Sequence, residues 1–213
     1  MKRIMKKTIS LALALSMLLA LLSFVGCGEQ SEIEPKIDEI LTSSSYTVKI
    51  TQTDSPNVTF MVSDMEIYIL EETKEYKAEQ FLFESGGKKY HVVTVENKEG
   101  EVETKKTELS KSEYLEKYIS VVENFAPNDI LFAHKNVLQM AEKVEENHYR
   151  YSDNVYEAGF SSKTGYIIKL DGGALTFIKT YEDSRENKNR TEVVYSDVGN
   201  TTVKIPMEIK NLK

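Results

Sequence analysis

The chain contains no tryptophan, one cysteine, three histidines and four prolines in 213 residues. A lone cysteine excludes an internal disulfide and any metal site built on two thiolates, so the fold rests on packing and hydrogen bonding. His91, His134 and His148 are far apart, and no pair has the close spacing with which one helix offers two imidazoles to a metal ion. They read as surface or half-buried side chains. Serines fall mostly in turns, and none is set in a G-x-S-x-G elbow. Glu71-Glu72 and Glu145-Glu146 are adjacent acids in a chain with 34 acidic residues, which reads as solvated charge rather than as a catalytic carboxylate pair. Asp171-Gly172-Gly173 has neither the further glycines nor the following helix of a phosphate loop, so it reads as a turn. With these motifs missing, the expectation is a protein that is not an enzyme and that carries no metal or cofactor.

Positive charge is concentrated at the start. Lys2, Arg3, Lys6 and Lys7 open the chain, and residues 9–25 are uncharged and built on Leu, Ala, Met and Ser. A basic start followed by an apolar stretch is the layout of an export signal. Ser23-Phe24-Val25-Gly26-Cys27 resembles a bacterial lipobox, with Phe24 where leucine is usual. That resemblance implies a diacylglyceryl group on the Cys27 thiol and removal of residues 1–26 as a signal peptide. Residues 8–28 carry no charge and are also about long enough for an uncleaved membrane span. Both readings put the remainder on the extracytoplasmic face of the cell membrane, tethered to it.

Without residues 1–26, 187 residues remain, enough for one domain with a substantial core. The four basic residues of the leader leave with it, so 23 of the 27 Lys and Arg face 34 Asp and Glu, a formal balance of −11. Such a surface repels phosphate backbones and anionic headgroups, so nucleic acid is not an expected partner. Residues 27–35 read as a lipidated acidic tether, and residues 36–213 as a single domain.

Ile33, Ile37, Ile40 and Leu41 fall at helical spacing and predict a short helix ending at residues 42–45. The period then changes to two. Tyr46, Val48 and Ile50 alternate with polar residues, Asp54-Ser55-Pro56-Asn57 supplies a turn, and Val58, Phe60 and Val62 return. Further strands are expected at 66–70, 76–83 and 90–95, some of them apolar on both sides. A sheet apolar on both faces needs cover on the second. Ser110-Lys111-Ser112-Glu113 matches a capping box and opens a helix carrying Tyr114, Leu115, Tyr118, Ile119 and Val122, placed to give that cover. Asn128 or Asp129 opens another around Ile130 to Phe132, and residues 137–146 fit helix or strand equally. Strands are expected again at 154–160, 166–170, 174–181, 192–195 and 202–205. Turns are expected at 162–165, 171–173 and 197–200, with an exposed loop over 182–190. The outcome is an α+β fold, an antiparallel sheet with helices packed on one face.

The lipobox, the helix leading into "SSYTVKI" (44–50), the helical insert, "FSSKTGYIIKL" (160–170) and the closing "YSDVGNTTVKIP" (195–206) together resemble the LolA/LppX-like lipoprotein superfamily. The resemblance implies a curved antiparallel half-barrel closed by helices, with acyl chains held in the apolar space between. It brings no catalytic motif. Phe60, Phe81, Tyr118 and Phe132 are the candidate lining of such a space, although the same residues would fill a solid core. Two functions therefore stand: binding of a lipid or other hydrophobic ligand, or a cell-surface interaction or sensor module without a cavity; no residue identifies a protein partner. Replacing Cys27 by Ser should abolish metabolic labelling with palmitate and leave an unprocessed chain of higher apparent mass. Unchanged labelling would exclude acylation at Cys27.

Overall fold

In the computed structural model, residues 32–125, 137–157 and 160–212 are described. The expected first helix forms as α1 (Ile33–Thr42), with Ile33, Ile37 and Ile40 fully buried on one side. It opens at Ile33, so residues 33–35 of the expected tether are its first turn. Period-two alternation then yields six strands in succession: β1 (Tyr46–Gln52), β2 (Asn57–Ser63), β3 (Glu66–Glu72), β4 (Tyr76–Ser85), β5 (Lys88–Asn97) and β6 (Val102–Leu109). After α2 (Lys111–Phe125) come β7 (Glu142–Glu145), β8 (His148–Glu157), β9 (Phe160–Asp171), β10 (Ala174–Asp183) and β11 (Lys188–Ser196), and the chain ends in α3 (Met207–Lys210). The capping box is realised at α2: Glu113 N–H donates to Ser110 Oγ (3.3 Å) and Ser110 N–H to Glu113 Oε2 (2.8 Å).

The strands form one open, curved antiparallel sheet of eleven, in the order β6-β5-β4-β3-β2-β1-β11-β10-β9-β8-β7. Two meanders are thus joined through β1 and β11, which pair from Thr47 with Ser196 to Gln52 with Thr191. Residues directly opposite each other share a face, so the ladders assign every side chain to one of two surfaces. On the inner face lie Val48, Phe60, Ile69, Tyr195 and Leu175, in one row across five strands. With the α1 isoleucines, Tyr114 of α2 and Leu138 they form the main buried cluster.

The outer face has its own, smaller cluster of Phe81, Phe83 and Val92, with Tyr68 and Tyr90 beside it. Its cover is not α2, as the sequence suggested, but the C-terminal segment: Ile205, Ile209 and Leu212 pack there. Lys106 fastens that segment, donating to the carbonyls of Lys210 (3.1 Å) and Leu212 (2.6 Å) with its ammonium 4.4 Å from the Tyr90 ring centre. Helices therefore lie on both faces. Residues 202–205, expected as a strand, join no ladder; they are the crossing that carries α3 to the outer face. Thr201 starts the crossing, its hydroxyl 3.1 Å from that of Thr47.

Other departures have local causes. The sequence of β6, VETKKTEL, is half charged and gives no strand signal, but that charge suits an edge strand that must not pair further. Residues 162–165, expected as a turn, lie inside β9. Gly165 sits between Ser152 and Thr180 in the ladder, and a Cβ there would lie 2.6 Å from Thr180 Oγ1. The glycine serves close side-chain approach, not a turn. The loop over 182–190 contracts to a turn around Glu186 (φ 66°), and residues 137–146 divide into a helical turn at 137–140 and β7.

Phe83 is fully buried on the outer face. Its replacement by Ala should cost about 3–5 kcal/mol in urea unfolding. Ile209→Ala, which removes part of its half-buried cover, should cost about 1 kcal/mol. An unchanged midpoint for Ile209→Ala would show that the C-terminal segment does not support the sheet.

Candidate functional site

Hydrophobic material on the inner face is the feature from which a site can be built. α2 is held over it at its N-terminal end by Tyr114, whose hydroxyl donates to the Met65 carbonyl at 2.6 Å. Met65 lies in the tight β2–β3 turn, where Asp64 and Met65 both have positive φ (47° and 74°). The Lys89 ammonium sits 4.5 Å from the Tyr114 ring centre. Below these, Tyr46 stacks at a tilt against Phe60, centroids 6.0 Å apart, and Phe177 meets Tyr195 edge-on at 6.1 Å. Burial and the nearby Tyr118 push the Tyr46 hydroxyl up to about 12. Burial raises Tyr195 and Tyr114 further, so these phenols stay neutral across physiological pH.

Between α2 and the sheet, Ile67, Ile69, Gln80, Phe81, Leu82, His91, Lys117 and Val121 line a small cavity of about 10 Å³, room for one water at most. His91 Nε2 lies 3.4 Å from Gln80 Oε1. Burial, then the charges of Lys117 and Lys105, lower its pKa to about 4. His91 is therefore a neutral, half-buried spacer under the helix.

Further along the same face the sheet continues past the helices of the described residues. Ile50, Val58, Glu71, Ala78 and Val95 stand directly opposite one another across β1 to β5. Ile50, Val58 and Ala78 are half-exposed and Val95 is 38% exposed. Val93 extends this strip toward α2, where Val121 and Val122 are half-buried. On α2 itself, Leu115 and Ile119 are each 45% exposed. The arrangement is an apolar strip at the mouth of a helix-covered, tyrosine-rich core, suited chemically to hydrocarbon.

The structure brings two of the four candidate lining residues together and separates a third. Phe60 (fully buried) and Tyr118 (half-buried) belong to the inner cluster. Phe81 lies on the outer face against Tyr68, centroids 5.1 Å apart, beneath the C-terminal segment. Phe132, His134 and Cys27 are outside the described residues. The strip from Ile50 to Val95 was missed; its residues alternate correctly in sequence, but nothing local marks which of them the helices leave open. Among the described residues, no three His, Cys, Asp or Glu converge as a metal site, and no helix is long and apolar enough to cross a membrane. No protein-family model matches the chain, and no curated protein matches it either.

His91 generates a pH test. Its pKa is lower folded than the ordinary 6.5, so the unfolded chain binds the proton more readily and stability falls as pH drops from about 6.5 toward 4. Melting temperature measured against pH should decline less steeply over that window in His91→Gln. Equal slopes would show that His91 is solvated.

Proposed function

We propose that this chain is a non-enzymatic, extracytoplasmic lipoprotein held to the cell membrane by an acylated Cys27. Its sheet works as a LolA/LppX-like half-barrel that takes a lipid or other apolar ligand along the inner face. The observation that supports this reading is the strip of Ile50, Val58, Ala78 and Val95, apolar and partly open beside a covered aromatic core. Hydrocarbon laid on it would leave water at about 0.8 kcal/mol per methylene, passing the Glu71 carboxylate in the middle of the row, which keeps the Tyr76 hydroxyl as its partner.

A second reading, an interaction or sensor module at the cell surface with a solid core, is favoured by a different observation. Under α2 the core leaves only about 10 Å³. The two readings differ in whether α2 moves aside or stays seated.

Native mass spectrometry of the full-length protein, extracted in mild detergent, distinguishes them. Ligand binding predicts a noncovalent mass of lipid size beyond the covalent anchor. Val95→Glu, at an exposed position that tolerates charge, should reduce that mass several-fold while the circular dichroism spectrum stays unchanged. Protein free of noncovalent lipid in every preparation would favour the solid-core module.

A further inference from the structure

The chain is acidic overall, yet its positive charge is not spread evenly. On the outer face of β1 and β8 to β11, opposite the main core, stand Lys49, Arg150, Lys163, Lys169, Lys188 and Arg190, all exposed. The ladder fixes their common face: Lys49 opposes Val194, Thr176 opposes Val194 and Lys169, Glu182 opposes Lys188 and Lys163. Acids on this face of the same five strands are Glu182, paired with Lys188 at 2.9 Å, Glu192, paired with Arg190 at 2.6 Å, and Asp171 at the β9–β10 turn; Asp153, Glu157 and Asp183 fall on the other face. The edge strand β7 adds Glu142 and Glu145. The interior of the face is therefore cationic in a domain whose average is strongly negative.

Three further features bear on what this face meets. Lys163, Lys188 and Arg190 border an open depression of about 490 Å³ that also holds the Glu182 carboxylate, already paired with Lys188, so that Lys163 and Arg190 supply its cationic donors for phosphate oxygens. Tyr156, 78% exposed, projects from the same face next to the Lys163–Asn154 pair, and half-buried Ile167 and Ile178 lie between the charges. An exposed tyrosine among lysines is the composition of a membrane–water interface rather than of a site for a soluble polyanion. Finally, the Glu32 carboxylate accepts from Asn147 Nδ2 at 3.0 Å, so the chain joins α1 beside the turn preceding His148, the ladder partner of Lys169. Cys27 is five residues before Glu32, at most about 18 Å of extended chain.

We infer that this outer face docks on anionic phospholipid headgroups, so that the domain lies with its sheet against the membrane and its inner face turned away. The inference rests on the membrane-anchored reading above. Electrostatic contact of this kind follows the lipid's charge and is screened by salt within a Debye length of roughly 8–10 Å.

The test uses the full-length protein on vesicles of phosphatidylcholine alone or with 30 mol % phosphatidylglycerol, the probe being a membrane-impermeant amine reagent read out by peptide mass spectrometry. Lys49, Lys163 and Lys169 should be labelled at least about threefold more slowly on the anionic vesicles, and the difference should vanish at 1 M salt, where screening is nearly complete. Lys105 and Lys179, exposed on the inner face, and Lys111, at the start of α2, serve as controls. Equal labelling of Lys49, Lys163 and Lys169 on the two vesicle types overturns the inference, as does protection by added polyphosphate but not by anionic vesicles. Flotation with pure phosphatidylcholine vesicles reports the anchor separately: protein that floats but shows no protection refutes the docking face alone, and protein that does not float refutes the anchored reading beneath it.

Discussion

The pairing of the first strand with the last is the constraint on which the rest depends. Each meander is assembled from hairpins between sequence neighbours, and each has an unsatisfied inner edge until β1 and β11 meet. That ladder brings Val48 beside Tyr195 and Ile50 beside Val193, uniting two half-cores into one. A slip of one residue would reverse the faces of an entire half-sheet, moving its core side chains into water. The register is secured outside the ladder as well. Gly199 N–H donates to the Ser45 carbonyl at 2.7 Å, and the Ser45 hydroxyl donates to the Thr201 carbonyl at 3.0 Å. Closure between residues about 150 apart belongs to a slow-folding topology.

Once the two halves share a register, the two surfaces acquire distinct characters. The inner face carries apolar side chains from Val95 on β5 to Tyr149 on β8, more than α1 and α2 cover, and the partly open strip at its rim is the consequence. The outer face divides along the β1–β11 seam. On the side of β3 to β5 it is aromatic and needs the C-terminal segment, whose anchoring by Lys106 also occupies that lysine's charge. On the side of β8 to β11 it carries Lys163, Lys169, Lys188, Arg150 and Arg190, all exposed. The proposed ligand surface and the proposed membrane surface therefore lie on opposite faces of one sheet and mostly in opposite halves of it, meeting only at β1.

Much of this was legible. α1 follows from three isoleucines at helical spacing, the β1–β2 hairpin from alternation around Asp54-Ser55-Pro56-Asn57, and the start of α2 from its capping box. The failures share a cause: local pattern does not report partners. β6 looks too charged for a strand until it is recognised as an edge. Residues 162–165 look like a turn because glycine and serine favour turns, whereas Gly165 is small because Thr180 lies across from it. Phe81 looked equivalent to Phe60, but Phe60 opposes Ile69 and Ile69 opposes Gln80, so Phe81 is on the far side.

By itself the sequence determined the alternation of each strand, the amphipathic faces of its helices and the strongly negative average of its charge, because these depend only on neighbours along the chain. Tertiary structure decided which alternate residues became core, which segment covered the second face and where the lysines gathered. Those outcomes depend on register between strands far apart in sequence, and a side-chain period of two leaves both faces equally available until the partner strand is in place.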